Sequence, residues 1–379
     1  MKETIQQNPF AVTTYIGAEY FCDRNDETKN IIQNLKNGNS VTLIAIRRIG
    51  KTGLIHHVLH KLPRLVKPVY VDILDTENMN QFLNRLSTSI ITQFPERTGY
   101  GKKIWAFIKS LRPVINFDPL TGAPQASFTI SAEETEVNIN AVFQFLEQQE
   151  YKVVIAIDEF QQILQYPEKN TDAWLRTRIQ SLKNIHFIFS GSQQHLMNEL
   201  FIHPKRPFYR STQLLKLDKI SQTKYSNFIV KMFAKYGKTI DREVAYNILK
   251  WTDTHTFFTQ QLCNRVFANS HNTVADSDWK EQASMLLKEQ ETMFLSFRNI
   301  LSKQQWKLLK AIAKEDKTFK PTSQAFIQKY DLSTSATIIK SLKILLNTEL
   351  IFKDFDEAGN MYYSVYDVFF RRWCENRIS

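Results

Sequence analysis

Ala45-Ile46-Arg47-Arg48-Ile49-Gly50-Lys51-Thr52, directly after the apolar run Val41-Thr42-Leu43-Ile44, decides how this chain is read. A Gly-Lys-Thr step between a buried strand and an amphipathic helix gathers backbone N–H groups, a helix N-terminus and a lysine ammonium around one polyphosphate. Gly50 lets the backbone approach phosphate closely, Lys51 reaches the terminal phosphate oxygens, and the Thr52 hydroxyl is directed at a magnesium ion. Arg48, Ile49 and Gly53 complete the candidate nucleotide-binding set. Such loops usually open with glycine; Ala45 stands there instead, which a negative φ accommodates. The expected ligand is ATP or GTP with Mg2+.

The partner of this loop lies far downstream. Val153-Val154-Ile155-Ala156-Ile157-Asp158-Glu159 is a buried strand ending in two adjacent acids, which is costly unless a cation or a partner meets them. Asp158 is assigned to the magnesium shell with Thr52, and Glu159 to the attacking water as general base. Phe187-Ile188-Phe189-Ser190-Gly191-Ser192 is a further strand with small hydroxyls at its end. If it runs between the loop strand and the Asp158 strand, Ser190 or Ser192 can sense the terminal phosphate. Arg210, and Arg206 beside it, are candidates for an arginine finger acting in the same or a neighbouring subunit. His56, His57 and His60 share the helix after the loop, but no further ligand-type residue clusters with them, so a metal site is not expected there.

Apolar runs of strand type recur at residues 41–46, 68–73, 152–157, 186–189 and 213–217, separated mostly by helical spacing, the pattern of a buried parallel sheet flanked by helices. Leu54, Ile55, Val58, Leu59 and Leu62 form one apolar face of the helix after the loop, and Pro63 ends it. Residues 112–131 read as a β-hairpin inserted in this α/β domain. Helices at 227–235, 242–251, 259–268 and 276–295 predict a helical lid. Helices at 302–314, 323–329 and 336–346 followed by strands at 351–355 and 361–366 predict a winged helix. The expected domains are therefore 1–220, 221–295 and 296–379. On the helix at 336–346, Ile339, Leu342 and Leu346 are the expected core face, with Thr337, Lys340, Ser341 and Lys343 offered to a DNA groove.

With 379 residues, two or three domains are expected, because single cores rarely grow beyond roughly 250–300 residues. The chain carries 49 basic and 38 acidic residues, a net charge of +11, of which +5 falls within residues 296–379. That excess is compatible with DNA, and winged helices also dock proteins, so the partner of the last domain stays open between the two. Three cysteines lie far apart without CxxC spacing, which argues against a zinc site or a disulfide framework. No run approaches the ~18 apolar residues of a membrane span, and the first residues lack an apolar signal region. A soluble cytoplasmic protein is expected, with an oligomer compatible with the sequence.

Taken together, these motifs resemble the prokaryotic AAA-like ATPases often called the archaeal ATPase family, near the STAND group of P-loop NTPases. Arg47-Arg48-Ile49-Gly50-Lys51-Thr52 is similar to the family's double-arginine phosphate loop, and Asp158-Glu159-Phe160-Gln161 to its acidic motif. Ser190-Gly191-Ser192 matches its sensor position, and Pro207-Phe208-Tyr209-Arg210 the segment before its last strand. Asn8-Pro9-Phe10 and Phe21-Cys22-Asp23-Arg24-Asn25-Asp26-Glu27 match its opening, where an aromatic and an Arg-x-x-Glu segment lie near the adenine. Asp23 stands where glycine is usual, and Thr254-His255-Thr256-Phe257-Phe258 replaces a Gly-x-Pro-like stretch of the lid. The resemblance implies ATP rather than GTP, Mg2+-dependent hydrolysis used as a conformational switch, and a C-terminal winged helix. The competing expectation is a DNA-binding regulator or scaffold that binds ATP with little or no hydrolysis.

Overall fold

Every residue of Val41–Ile44 is buried, as a strand requires when helices cover both faces of its sheet. The computed structural model describes residues 8–10, 12 and 15–376. These group into two units, one of residues 24–218 and one of residues from 219 onward with the described residues up to Asp23.

The first unit runs α1 (Asn25–Lys36), β1 (Val41–Ile44), α2 (Lys51–Lys61), β2 (Val66–Asp72), α3 (Met79–Gln93) and α4 (Gly99–Ser110). It continues with β3 (Val114–Phe117), β4 (Pro124–Ser127), α5 (Ala132–Glu147), β5 (Lys152–Asp158), α6 (Thr171–Gln180), β6 (Ile185–Ser190), α7 (Gln194–Ile202) and β7 (Gln213–Lys216). Five strands form one parallel sheet in the order β2-β5-β6-β1-β7, and β3 with β4 makes the expected antiparallel hairpin. β6 thus separates the loop strand from the acid strand, the condition on which the serine expectation depends. Because the strands are parallel, Ala45, Asp158 and Ser190 all emerge at their C-terminal edge, where open α/β sheets place ligands. Beneath one face, Phe143, Phe160, Phe187, Phe189, Phe201 and Phe208 form an aromatic core with ring centroids 4.5 to 5.9 Å apart.

The second unit holds α8 (Gln222–Lys235), β8 (Thr239–Ile240), α9 (Arg242–Trp251), α10 (Thr256–Asn269), β9 (Thr273–Val274) and α11 (Asp276–Ile300). After them come α12 (Lys303–Lys314), α13 (Gln324–Lys329), α14 (Ser335–Asn347), β10 (Ile351–Phe355), β11 (Met361–Val365) and α15 (Val368–Asn376). Three helices and the antiparallel pair β10–β11 give the expected winged helix. The expected boundary at 295/296 falls inside α11, which is continuous. α15, absent from the sequence reading, ties lid to wing. Its Phe369 packs on Trp251 at 5.5 Å and Phe258 at 4.8 Å, its Phe370 on Trp306 at 5.8 Å, and Arg372 donates to the carbonyls of Lys250 and Trp251. One hydrophobic core therefore runs through both segments.

Two further expectations are corrected. Phe10, assigned by sequence to residues 1–220 of the nucleotide domain, is enclosed in the second unit, with its ring 5.2 Å from Phe233 and 6.2 Å from Phe267. Asn8 and Asn264 lock it there by donating to the carbonyls of Asn264 and Phe10, each at 2.8 Å. On α14 the core face is Ile338, Leu342 and Leu345; Ile339 is 59% exposed and Ser341 only 6%. The outward face carries Lys340 and Lys343 beside the exposed Ile339 and Ile344. Among the described residues no helix is long and apolar enough to cross a membrane.

Candidate active site

The phosphate loop is shaped by a few backbone angles. Gly50 caps α2 at φ 100°, ψ 24°, a left-handed conformation that glycine takes without a Cβ clash. Arg48 also has positive φ, at 58°, whereas Ala45 keeps a negative one, so its methyl group is accommodated. Ile49 is buried and anchors the loop from below. Lys51 is the first residue of α2, so the unpaired N–H groups of the helix N-terminus open at the same place as its ammonium. That ammonium is buried and donates to the carbonyls of Ala45 at 3.3 Å and Ile46 at 3.1 Å, bending across the loop.

Asp158 is the centre of the site. It is 3% exposed at the end of β5, a position tolerable for a carboxylate only with several donors around it. Thr52 donates to Oδ2 at 2.7 Å and Tyr70 to the same oxygen at 3.0 Å. Ser190 donates to Oδ1, and the Glu159 N–H reaches that oxygen at 3.1 Å. A threonine hydroxyl touching an acid at this edge is the oxygen donor pair that suits Mg2+, a hard cation bound through one or two protein oxygens plus phosphate.

Glu159 takes a left-handed φ of 57°, which turns its side chain toward the segment after β6. Its Oε2 accepts from Gln161 Nε2 at 2.7 Å, from the Ser192 N–H at 3.0 Å and from Ser192 Oγ at 2.7 Å. The two serines expected to face the terminal phosphate are thus engaged with the acids, Ser190 with Asp158 and Ser192 with Glu159. Between them Gly191 has no space for a side chain: a Cβ would stand 2.0 Å from Gln161 Oε1 and 2.7 Å from Met197 Sδ.

Sequence reasoning missed Tyr70 and gave Gln161 a place in the acidic motif but no role. Tyr70 lies on β2 two residues before Asp72, the residue in register with Asp158, and only that register brings its hydroxyl to the acid. Burial first, and the Asp158 charge second, push the Tyr70 hydroxyl far above its ordinary range, so it remains a donor. His56 packs against Tyr70 at 4.4 Å between ring centroids; burial lowers its imidazole while Asp158 pulls the other way. Among the described residues no group of three or more His, Cys, Asp and Glu is placed to hold a metal ion by itself. Arg24 and Glu27 form a 2.8 Å ion pair at the start of α1, with Arg24 buried.

Arg210 is not brought to this site. It precedes β7, whose first residue Gln213 pairs with Val41, so it lies at the N-terminal edge of the sheet, opposite Asp158 and Ser190. Arg206 is held by Asp172 and Glu199.

A family model described as an ATPase domain predominantly from Archaea matches residues 21–257, and one described as a probable winged helix domain matches residues 292–376. No curated protein matches the sequence. Among solved structures, a Walker-type ATPase of Pyrococcus abyssi is similar over 97% of this chain and 99% of its own, with a TM-score of 0.67 at 16% identity. The ORC2 protein of Aeropyrum pernix, solved in ADPNP–ADP complexes, aligns over 98% and 97% with a TM-score of 0.57 at 14% identity. The ORC1 protein of the same organism, solved in complex with DNA, aligns over 94% and 93% with a TM-score of 0.51 at 11% identity. At these identities the likeness is one of fold.

Proposed function

Because the chain belongs to the family of ATPase domains found predominantly in Archaea, we propose that it binds ATP with Mg2+ and hydrolyses it, using the nucleotide as a conformational switch. The observation that carries this reading is the hydrogen bond from Thr52 to Asp158 at the mouth of a Gly-Lys-Thr loop, with Glu159 one residue further on. Lys51 would leave the carbonyls of Ala45 and Ile46 for the phosphates, and Arg48, Ile49, Gly50 and Gly53 would line them with backbone N–H groups. Thr52 and Asp158 would hold Mg2+, Thr52 through its hydroxyl and Asp158 through its carboxylate. When bound, Mg2+ supplies neutralisation of charge on the phosphate oxygens. Glu159 would orient the attacking water and accept its proton, after its carboxylate leaves Ser192 and Gln161. Ser190 and Ser192 would act as sensors by exchanging their present acid partners for phosphate or water. The test is ATP titration and phosphate release with the parent chain, Lys51→Ala and Glu159→Gln; binding unaffected by the first, or turnover unaffected by the second, overturns the reading.

In this switch, lid and winged helix would act as one body, which the shared core through α15 supports. A second reading, a DNA-binding regulator with slow hydrolysis, is favoured by exposed Lys340 and Lys343 on α14 and by the DNA-bound structure among those of similar fold. Exposed Ile339 and Ile344 on the same face suit a protein partner as well. Duplex affinity measured against salt, with Lys340→Glu and Lys343→Glu, separates the two: each lysine–phosphate pairing that is removed lowers the salt slope by about 1. Arg210 would serve as an arginine finger only toward the site of a neighbouring copy.

A further inference from the structure

At the edge of the sheet opposite the candidate active site, where β1, β6 and β7 begin, the first unit contains a cavity of about 290 Å³, toward the small end for ligand sites. Ser40, Arg176, Gln180, His186, Arg210 and Ser211 are on its walls, and no carboxylate is among the residues that line it. His186 is 5% exposed, yet its Nε2 has no hydrogen-bond partner. The Nε of Arg176 is likewise buried and unpartnered. Arg176 and Arg210 have no carboxylate partner among the described residues, and Arg210 lies over the Tyr209 ring at 5.4 Å. Its positive φ of 51° sets it in the turn just before β7.

Buried donors without acceptors are uncommon in folded proteins unless something else supplies the acceptor. Two uncompensated guanidinium groups on one small cavity call for an anion, and their planar forks match phosphate oxygens two at a time. We propose that this cavity is a second anion site, which binds phosphate, either free or as the phosphate group of a small ester, between Arg176 and Arg210 with His186 at its base. Burial lowers the His186 imidazole, with Lys152 acting in the same direction and the Ile185 carbonyl and Glu147 against it, and a ring in its neutral form can meet the protonated oxygen of hydrogen phosphate. None of the residues on its walls is hydrogen-bonded to Thr52, Asp158 or Glu159, so the site stands apart from the nucleotide reading and does not rest on it.

The experiment is calorimetric titration of the full chain with inorganic phosphate, and in a second arm with glycerol phosphate, in the Lys51→Ala background. That background removes phosphate binding by the nucleotide loop and any nucleotide held by a neighbouring copy. Saturable binding is expected there with one arm or both, the tighter arm identifying the source. Arg210→Gln and Arg176→Gln are each expected to weaken it at least tenfold. Arg210 is exposed, so Arg210→Gln decides the matter if Arg176→Gln does not fold. Absence of saturable binding in the Lys51→Ala chain, or undiminished binding by folded Arg210→Gln, overturns the proposal.

Discussion

Thr52 donates its hydroxyl to Asp158 Oδ2 across 2.7 Å, although 106 positions separate the two residues. The hydrogen bond exists because α2 begins where β1 ends, β5 ends two strands away, and β6 between them contributes Ser190 to the other oxygen of the same carboxylate. Hydroxyls on both sides fix the direction of the acid, the kind of preorganisation on which electrostatic catalysis depends.

Thr52→Ala removes one of those hydroxyls and the metal donor together. ATP affinity in the presence of Mg2+ is expected to drop at least tenfold, about 1.4 kcal/mol, while affinity measured with EDTA changes much less. Titration under both conditions checks this; equal losses would mean that Thr52 acts on the phosphates and not on the metal.

Glu159→Gln keeps the shape and the hydrogen-bonding reach of the side chain but not its basicity. Turnover is expected to fall by about 10²–10⁴-fold with nucleotide affinity nearly unchanged. Steady-state phosphate release beside equilibrium binding distinguishes this from a general loss of folding.

Gly191→Ala places a methyl group against Gln161 Oε1 and Met197 Sδ, both closer than 3 Å. Overpacking of this kind costs about 1–3 kcal/mol. Because Gln161 also holds Glu159, the change should lower kcat more than it lowers affinity, whereas a purely structural glycine would affect both alike. Urea unfolding together with the kinetics of the variant provides the comparison.

Tyr70→Phe deletes a donor to a buried carboxylate. A hydrogen bond to a charged group contributes about 1.5–3 kcal/mol, so the unliganded chain should lose stability on that scale in urea titration. The loss should shrink when ATP and Mg2+ are present, since the metal would take over part of the stabilisation of Asp158. A loss of equal size in both conditions would place Tyr70 outside the site's electrostatics.

Asp23 and Thr254, at positions where the resemblance leads to the expectation of glycine, both have left-handed backbone, at φ 55° and 51°. Such a conformation costs an L-residue roughly 1–2 kcal/mol, with a β-branched side chain at the upper end. Thr254 is compensated by its N–H on the Leu249 carbonyl at 2.7 Å and by Gln222 at its hydroxyl. Thr254→Gly is therefore expected to leave the melting temperature equal or higher, and a fall of several degrees would show that the hydroxyl's hydrogen bonds outweigh the strain.

Much of this architecture could be read in advance because it is written in local signals. The five strands, the hairpin, the lid helices and the winged helix each carry their own periodicity or turn residues, and their observed bounds differ from expectation by a few residues. α15 escaped because its nine residues, with arginines amid aromatics, have no period long enough to register before the core that receives them is known. Ile338 and Ile339 are adjacent, so either could begin the apolar stripe of α14; packing against its neighbours selected Ile338 and buried Ser341 with it.

The Gly-Lys-Thr loop, the acidic pair and the order of strands and helices could be read from sequence alone, since each rests on residues close together in the chain. Tertiary structure alone decided which oxygens those residues meet. Strand order set Ser190 on Asp158 and Ser192 on Glu159, the register of β2 brought Tyr70 in, packing on Phe233 drew Phe10 into the helical unit, and parallel strands sent Arg210 to the far edge. Such pairings depend on which long-range arrangement closes the sheet, and a hydroxyl or ring has the same local pattern whichever partner that arrangement supplies.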